Sequence, residues 1–258
     1  MTGESRWSNL IQIIQSQKYS LILPKAWLSS MSDCPINHLG IIMDGNGRWA
    51  VNQDQPRALG HKAGAQTAKK IINECVQKKI PFLTLYTFSN ENWLRPKKEV
   101  DTLMELLSLM LDKEIDNMMR NNIRFNIVGR LEDLPKKTKE FVKRTINKTK
   151  NNSGLFLTLA LSYGGRQEII DAMNSILEKN IEIIDEDILK NHLYCPELPD
   201  IDLVIRTGAE TRLSNFLLWQ SAYAEIYTSE KYWPEFDINE LEKAMEDFEN
   251  RHRKFGKV

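Results

Sequence analysis

An α/β fold is what the sequence predicts: a single domain with a mostly parallel central sheet covered by helices. From Asn37 onward, short apolar runs alternate with longer stretches of helical periodicity, the order that builds a parallel sheet under helices. The short runs are rich in β-branched and aromatic residues, as strands are. A length of 258 residues suits one sizeable core.

Strands are predicted over 38–43, 81–88, 124–128, 155–162, 202–205 and 225–228, and helices near 61–78, 98–121, 135–150, 165–179 and 238–254. The first strand, Leu39 to Met43, reads as a buried run. Within 98–121, Val100, Leu103, Leu106, Leu107, Met110, Leu111, Ile115 and Met118 make a wide apolar stripe at helical spacing. That stripe serves ordinary core packing or lines, in part, an elongated apolar cavity. Pro196-Glu197-Leu198-Pro199-Asp200 is a loop before the fifth strand.

Residues 1–36 stand apart as an N-terminal extension to a catalytic domain over 37–258. Trp7, Leu10, Ile11, Ile13, Ile14, Leu21, Ile22, Leu23 and Trp27 are interrupted by polar residues before Pro24 and Pro35. An amphipathic helix with peripheral membrane contact is one reading. An extension packed on the domain or on a partner is the other, favoured because few cations flank the apolar positions.

Lysine plus arginine equal aspartate plus glutamate at 35 each, so no global basic bias announces nucleic acid. Any anion site is local. Cys34, Cys75 and Cys195 lie far apart without metal-ligand spacing, which suits free thiols in a reducing compartment. No run approaches the roughly 20 apolar residues of a membrane span, and no signal-peptide pattern opens the chain. The expectation is a cytoplasmic protein.

Three segments carry charge on loops that follow strands, where open α/β sheets bind ligands. In His38-Leu39-Gly40-Ile41-Ile42-Met43-Asp44-Gly45-Asn46-Gly47-Arg48-Trp49-Ala50, a carboxylate able to hold Mg2+ precedes glycines that let backbone N–H groups turn toward an anion. In Arg206-Thr207-Gly208-Ala209-Glu210-Thr211-Arg212-Leu213-Ser214-Asn215-Phe216, two guanidiniums and a hydroxyl suit forked contact with phosphate oxygens. Leu83 to Pro96 adds aromatic bulk beside Ser89, Asn90, Glu91, Asn92 and Arg95.

Together with Arg57-Ala58-Leu59-Gly60-His61-Lys62-Ala63-Gly64 and Phe216 to Glu225, these segments resemble the cis-prenyltransferases, and among them bacterial undecaprenyl diphosphate synthases, from about Asn37 to Gly256. The resemblance implies elongation of an allylic diphosphate, usually farnesyl diphosphate, by repeated cis-condensation with isopentenyl diphosphate. It also implies an apolar tunnel, Mg2+ and a homodimer. Residue by residue, Asp44 and Asn92 are the implied catalytic pair, and Asp44 and Glu225 the implied metal carboxylates. Gly45, Asn46, Gly47, Arg48, Trp49, Arg57 and His61 match the surroundings of the allylic diphosphate. Phe88, Ser89, Trp93, Arg95 and Glu99 match the reacting region, and Arg206, Arg212 and Ser214 match the isopentenyl diphosphate grip.

Two departures stand out: Ala209 where glycine is common, and Lys254-Phe255-Gly256 where the family often has Arg-x-Gly. Lysine keeps the charge of that arginine and loses its planar fork. The Asp-Asp-x-x-Asp sequence of trans-prenyltransferases is missing from the chain. A non-catalytic partner subunit would lack parts of the charged set, whereas a generic phosphate-binding module would not need the apolar stripe.

Overall fold

The computed structural model describes residues 34–251. Among them, β1 (His38–Ile42), β2 (Phe82–Ser89), β3 (Arg124–Val128), β4 (Phe156–Tyr163), β5 (Leu203–Arg206) and β6 (Glu225–Thr228) form one sheet in the order β3-β4-β2-β1-β5-β6. Every pairing is parallel. The helices are α1 (Asn46–Val51), α2 (Arg57–Gln77), α3 (Lys97–Arg120), α4 (Lys136–Thr149), α5 (Gly165–Glu178), α6 (Glu186–His192) and α7 (Ile238–Glu249).

Strand alternation decides what the sheet buries. Leu39, Ile41, Leu83, Leu85, Leu157, Leu159, Leu161, Leu203 and Ile205 all join the principal core, each two residues from the next on its strand, as a pleat of period two requires. The same core takes Ile71 and Cys75 from α2, Val100, Met104, Leu111 and Met118 from α3, Val142 from α4, and Leu241, Ala244, Met245 and Phe248 from α7. A smaller cluster gathers Ala172 and Ile176 of α5 with Leu189 of α6 and Leu193.

The predicted strands are found within one residue at each end. Helix α2 begins at Arg57, earlier than expected, directly behind Pro56, whose fixed φ suits a helix entrance. Helices α1 and α6 were not foreseen. At six and seven residues they are too short to register as periodicity, and Asp185, which caps α6 by accepting from the Ile188 N–H at 2.8 Å, is the local signal that was present. The expected extension over 1–36 lies almost wholly outside the described residues, as does Lys254-Phe255-Gly256. Among the described residues no helix is long and apolar enough to cross a membrane.

Two glycines of α2 set how closely α1 approaches it. A Cβ on Gly60 would lie 2.0 Å from the Asn46 carbonyl oxygen, and one on Gly64 would lie 2.1 Å from Asn46 Oδ1. Side chains there would push α1, and the loop before it, off the sheet edge. Between β2 and β4 the register slips and recovers: Tyr86 faces Ala160, Phe88 faces Leu161 and Ser89 faces Tyr163, so Thr87 and Ser162 are the extra residues of two facing bulges.

His38 opens β1 wholly buried, with Nδ1 2.8 Å from the Pro199 carbonyl and Nε2 2.8 Å from Thr84 Oγ1. Burial lowers its pKa from 6.5 to about 4, so the folded state holds the neutral ring. The unfolded chain therefore binds a proton first as pH falls. Stability should decline between pH 6.5 and pH 4, by about 3 kcal/mol from this group alone. Urea unfolding across that window should show the decline in the wild type and a flatter profile in His38→Gln, which takes no proton.

Candidate active site

Asp44 stands two residues beyond β1, and its carboxylate is clasped from both sides. Arg206 Nη2 donates to Oδ2 at 2.9 Å, and Arg48 Nη2 lies 3.1 Å from Oδ1. Burial raises the Asp44 pKa, but the hydrogen bond from Arg206 and the charges of Arg48 and Arg206 outweigh it and hold the group below its ordinary value. The main chain is fixed as well: the Asp44 carbonyl accepts from Thr207 Oγ1 at 2.7 Å and from the Trp233 N–H at 2.9 Å.

The local turns follow from the residue types. Gly45 takes a φ of 102°, a left-handed conformation, where a side chain would strike Tyr232. Gly208 has a φ of 82°, and a Cβ there would come within 2.5 Å of Arg48 Nη2. Ala209 follows it in the left-handed region at 59°, so the loop keeps its turn at the cost that alanine carries there. The N–H groups of Gly208 and Ala209 are held by the Lys231 and Ser229 carbonyls at 2.7 and 3.0 Å.

Arg206 is the buried member of the set, at 4% exposure. Its Nη1 donates to Ser214 Oγ at 2.8 Å and to the Arg212 carbonyl, so one guanidinium shapes the whole following loop. Asn215 staples that loop to its neighbours, its carbonyl accepting from the Gly165 N–H at 2.7 Å and its amide donating to Glu91 at 3.1 Å. Arg212 itself is exposed and pairs with Glu210, which also meets Arg48 at 3.4 Å.

A second charged group gathers around Glu99 on α3. Its carboxylate lies 3.2 Å from Arg95, 3.6 Å from Arg57 and 3.6 Å from His61 Nε2. Burial lowers the His61 pKa, Glu99 opposes the shift, and Arg95 and Arg57 reinforce it. His61 is therefore the neutral member among three cationic or potentially cationic groups. Ser89 opens the Asn90–Leu94 turn, with Asn92 Oδ1 accepting from the Ser89 N–H at 3.2 Å.

A cleft of about 590 Å³ is lined by Asp44, Gly45, Asn46, Gly47, Arg48, Arg57, His61, Phe88, Ser89, Asn92, Arg95, Arg206 and Ser214, whereas Glu99 and Arg212 stand behind its wall through their ion pairs with Arg57, Arg95 and Glu210. Beneath it lies an apolar cavity of about 170 Å³ between α2, α3 and the sheet, lined by Leu103, Leu106, Leu107, Met110 and Leu111 among others. Met43, Asn46, His61, Thr87, Phe88 and Leu103 line both, so charged mouth and apolar interior adjoin. Part of the α3 stripe is thus cavity wall and part, such as Val100 and Ile115, is core.

Other predicted residues fall elsewhere. Trp49 is half-buried on α1 outside the cleft wall, and Trp93 turns away to donate to Ser162 Oγ at 2.8 Å while packing edge-on against Phe88. Glu225 does not meet Asp44 within one chain. It pairs with Leu203, which pairs with Leu39, so it lies at the opposite end of the sheet, about 16 Å away along the strand direction alone. There its carboxylate meets Arg251 at 2.9 Å. Tyr232 and Tyr86 were missed: Tyr232 lies 5.3 Å under the Arg48 guanidinium, and Tyr86 lines the cleft while stacking on Phe216. Tyr86 stood in a quoted segment and its outward place on β2 could have been read from alternation, whereas nothing local to Tyr232 points at Arg48.

Among the described residues no group of three or more His, Cys, Asp or Glu side chains gathers as a metal cage. Asp44, a part-exposed carboxylate in the cleft, fits the other way of binding Mg2+, in which one carboxylate joins the phosphate oxygens of a substrate. As for Asp44, Arg206→Ala should raise its pKa, since the hydrogen bond and charge disappear while burial stays; carbon-13 NMR titration of the Asp44 carboxyl measures the shift.

A family model for undecaprenyl diphosphate synthase matches residues 42–256. An isoprenyl transferase of Clostridium tetani is 50% identical over 227 residues, covering 86% of this chain and 89% of that one. One from Rickettsia bellii is 48% identical, over 86% and 98%. Among solved structures, lavandulyl diphosphate synthase from Lavandula x intermedia, in complex with dimethylallyl diphosphate, superposes with a TM-score of 0.83 at 31% identity, over 86% of this chain and 98% of that one. A probable undecaprenyl diphosphate synthase from Campylobacter jejuni gives 0.74 at 39% identity, over 86% and 99%.

Proposed function

The chain belongs to the undecaprenyl diphosphate synthase family of prenyltransferases, and we propose that it extends farnesyl diphosphate by successive cis-condensations with isopentenyl diphosphate to a long-chain polyprenyl diphosphate, most simply undecaprenyl diphosphate. The observation that carries this reading is that the arginine-lined cleft adjoins the apolar cavity, with six residues lining both. A substrate with a diphosphate at one end and a growing hydrocarbon at the other needs both surfaces joined. Each CH2 moved from water into the cavity contributes about 0.8 kcal/mol, so chain growth is drawn inward.

In this reading Arg48, Arg57 and His61 hold the allylic diphosphate, and Arg206, Arg212 and Ser214 hold isopentenyl diphosphate. Breaking the allylic C–O bond moves charge onto the departing diphosphate, and guanidiniums already fixed by Asp44, Glu99 and Glu210 stabilise that charge without rearranging. Asp44 would hold Mg2+ together with diphosphate oxygens; when bound, the ion neutralises developing charge on the leaving group. Asn92 and Ser89, on the turn after β2, border the place where the new carbon–carbon bond forms. The domain over 37–258 carries all of this, and residues 1–36 form a separable extension.

A homodimer in the cytoplasm, with peripheral membrane contact for product release, completes the proposal. Support for the dimer comes from Ile170, Met173 and Leu177, which lie exposed on one face of α5 at helical spacing.

Purified protein incubated with Mg2+, farnesyl diphosphate and labelled isopentenyl diphosphate should give long prenyl products, sized by chromatography. Asp44→Ala should lower turnover on the order of 100-fold or more while circular dichroism stays unchanged. Full turnover at saturating Mg2+ would remove Asp44 from the chemistry. Ala68→Phe, which fills the cavity wall, should shorten the products without abolishing the first condensation; unchanged product length would mean that the chain grows elsewhere.

A further inference from the structure

We propose that Ser162 is a positioning residue for the Asn90–Leu94 turn, acting through Trp93; the inference rests on the prenyl-transfer reading above. Ser162 is fully buried within β4 and takes a φ of 46°. A serine held in the left-handed region inside a strand is strained, and such strain persists only where surrounding contacts fix it. Here the contacts converge on one oxygen. Trp93 Nε1 donates to Ser162 Oγ at 2.8 Å, Ser162 donates to Asp133 Oδ2 at 2.8 Å, and the Asn90 carboxamide lies 3.2 Å away.

The bulge explains the aim of the side chain. Because Ser162 is the extra residue opposite Phe88 and Ser89, it leaves the pleat and faces the turn that follows β2. Two of the three partners, Asn90 and Trp93, belong to that turn, and the third, Asp133, ties it to the segment after β3. Trp93 in turn packs edge-on against Phe88 with ring centroids 4.8 Å apart. Phe88 lines both cleft and cavity, while Ser89, Asn92 and Arg95 line the cleft. Ser162 is not part of the cleft or cavity lining, so its influence on the reaction runs through the placement of this turn.

The test compares Ser162→Gly and Ser162→Asn with the wild type in the full-length enzyme. Glycine relieves the positive φ and removes the hydroxyl, so fold stability should change little. Asparagine tolerates the same φ and supplies one acceptor for Trp93 and N–H donors for Asp133. In Ser162→Gly, turnover of farnesyl diphosphate with isopentenyl diphosphate and Mg2+ should fall about tenfold or more, because small misplacements of reacting groups are costly. The KM for isopentenyl diphosphate, held on the other loop, should stay within about twofold. In protein labelled with 5-fluorotryptophan, the Trp93 fluorine resonance, assigned through Trp93→Phe, should shift in Ser162→Gly and return with activity in Ser162→Asn.

Wild-type turnover in a folded Ser162→Gly enzyme would overturn the proposal. So would a loss that tracks the unfolded fraction, or failure to fold, since each makes the role structural. If the wild-type chain does not condense the two substrates, the functional reading fails instead, and the fluorine resonance still decides whether Ser162 holds the turn.

Discussion

The clasp of Asp44 between Arg48 and Arg206 is the interaction on which the site depends. Two guanidiniums this close repel unless a carboxylate lies between them, and one of them is almost wholly buried. The bridge needs the ends of β1 and β5 side by side, which their pairing in the sheet provides. It also needs two left-handed turns, at Gly45 and Gly208, where the chain passes close to Tyr232 and Arg48. Much of the loop geometry at this sheet edge follows from satisfying those three charges.

Glu99 plays the same part for a second set of cations, from a different element. It projects from the first turn of α3, the helix that also walls the apolar cavity. A single helix thus ties the arrangement of the charged mouth to the shape of the interior. Both carboxylates keep their arginines ordered before any anion arrives, which is how a site avoids reorganising during a reaction.

The fold was legible because each strand is a short apolar run and each long helix carries a clear stripe. The candidate site was legible where its parts lie in local segments: residues from Asp44 to Arg48, Arg57 to His61, Ser89 to Arg95 and Arg206 to Ser214 line one cleft. It was not legible where the answer depends on which end of a strand a residue occupies. Glu225 begins β6, whereas Asp44 follows β1, and in a parallel sheet those are opposite edges. The direction in which Trp93 points was not legible for another reason. Its segment lies at the cleft, but its indole N–H is satisfied by Ser162 on β4, a contact between residues far apart in sequence.

The facing bulges at Thr87 and Ser162 have a consequence for how the two strands vary. Each strand carries one residue more than its partner's spacing requires, and the two surpluses cancel, so the register after the bulges equals the register before them. Loss of one surplus alone would turn the remaining residues of that strand to the wrong face, carrying Phe88 or Tyr163 away from its packing. Insertions and deletions at these two places, separated by most of the β2-to-β4 segment, are thereby bound to one another. The sheet edge beside the cleft accepts a change in length in both strands or in neither.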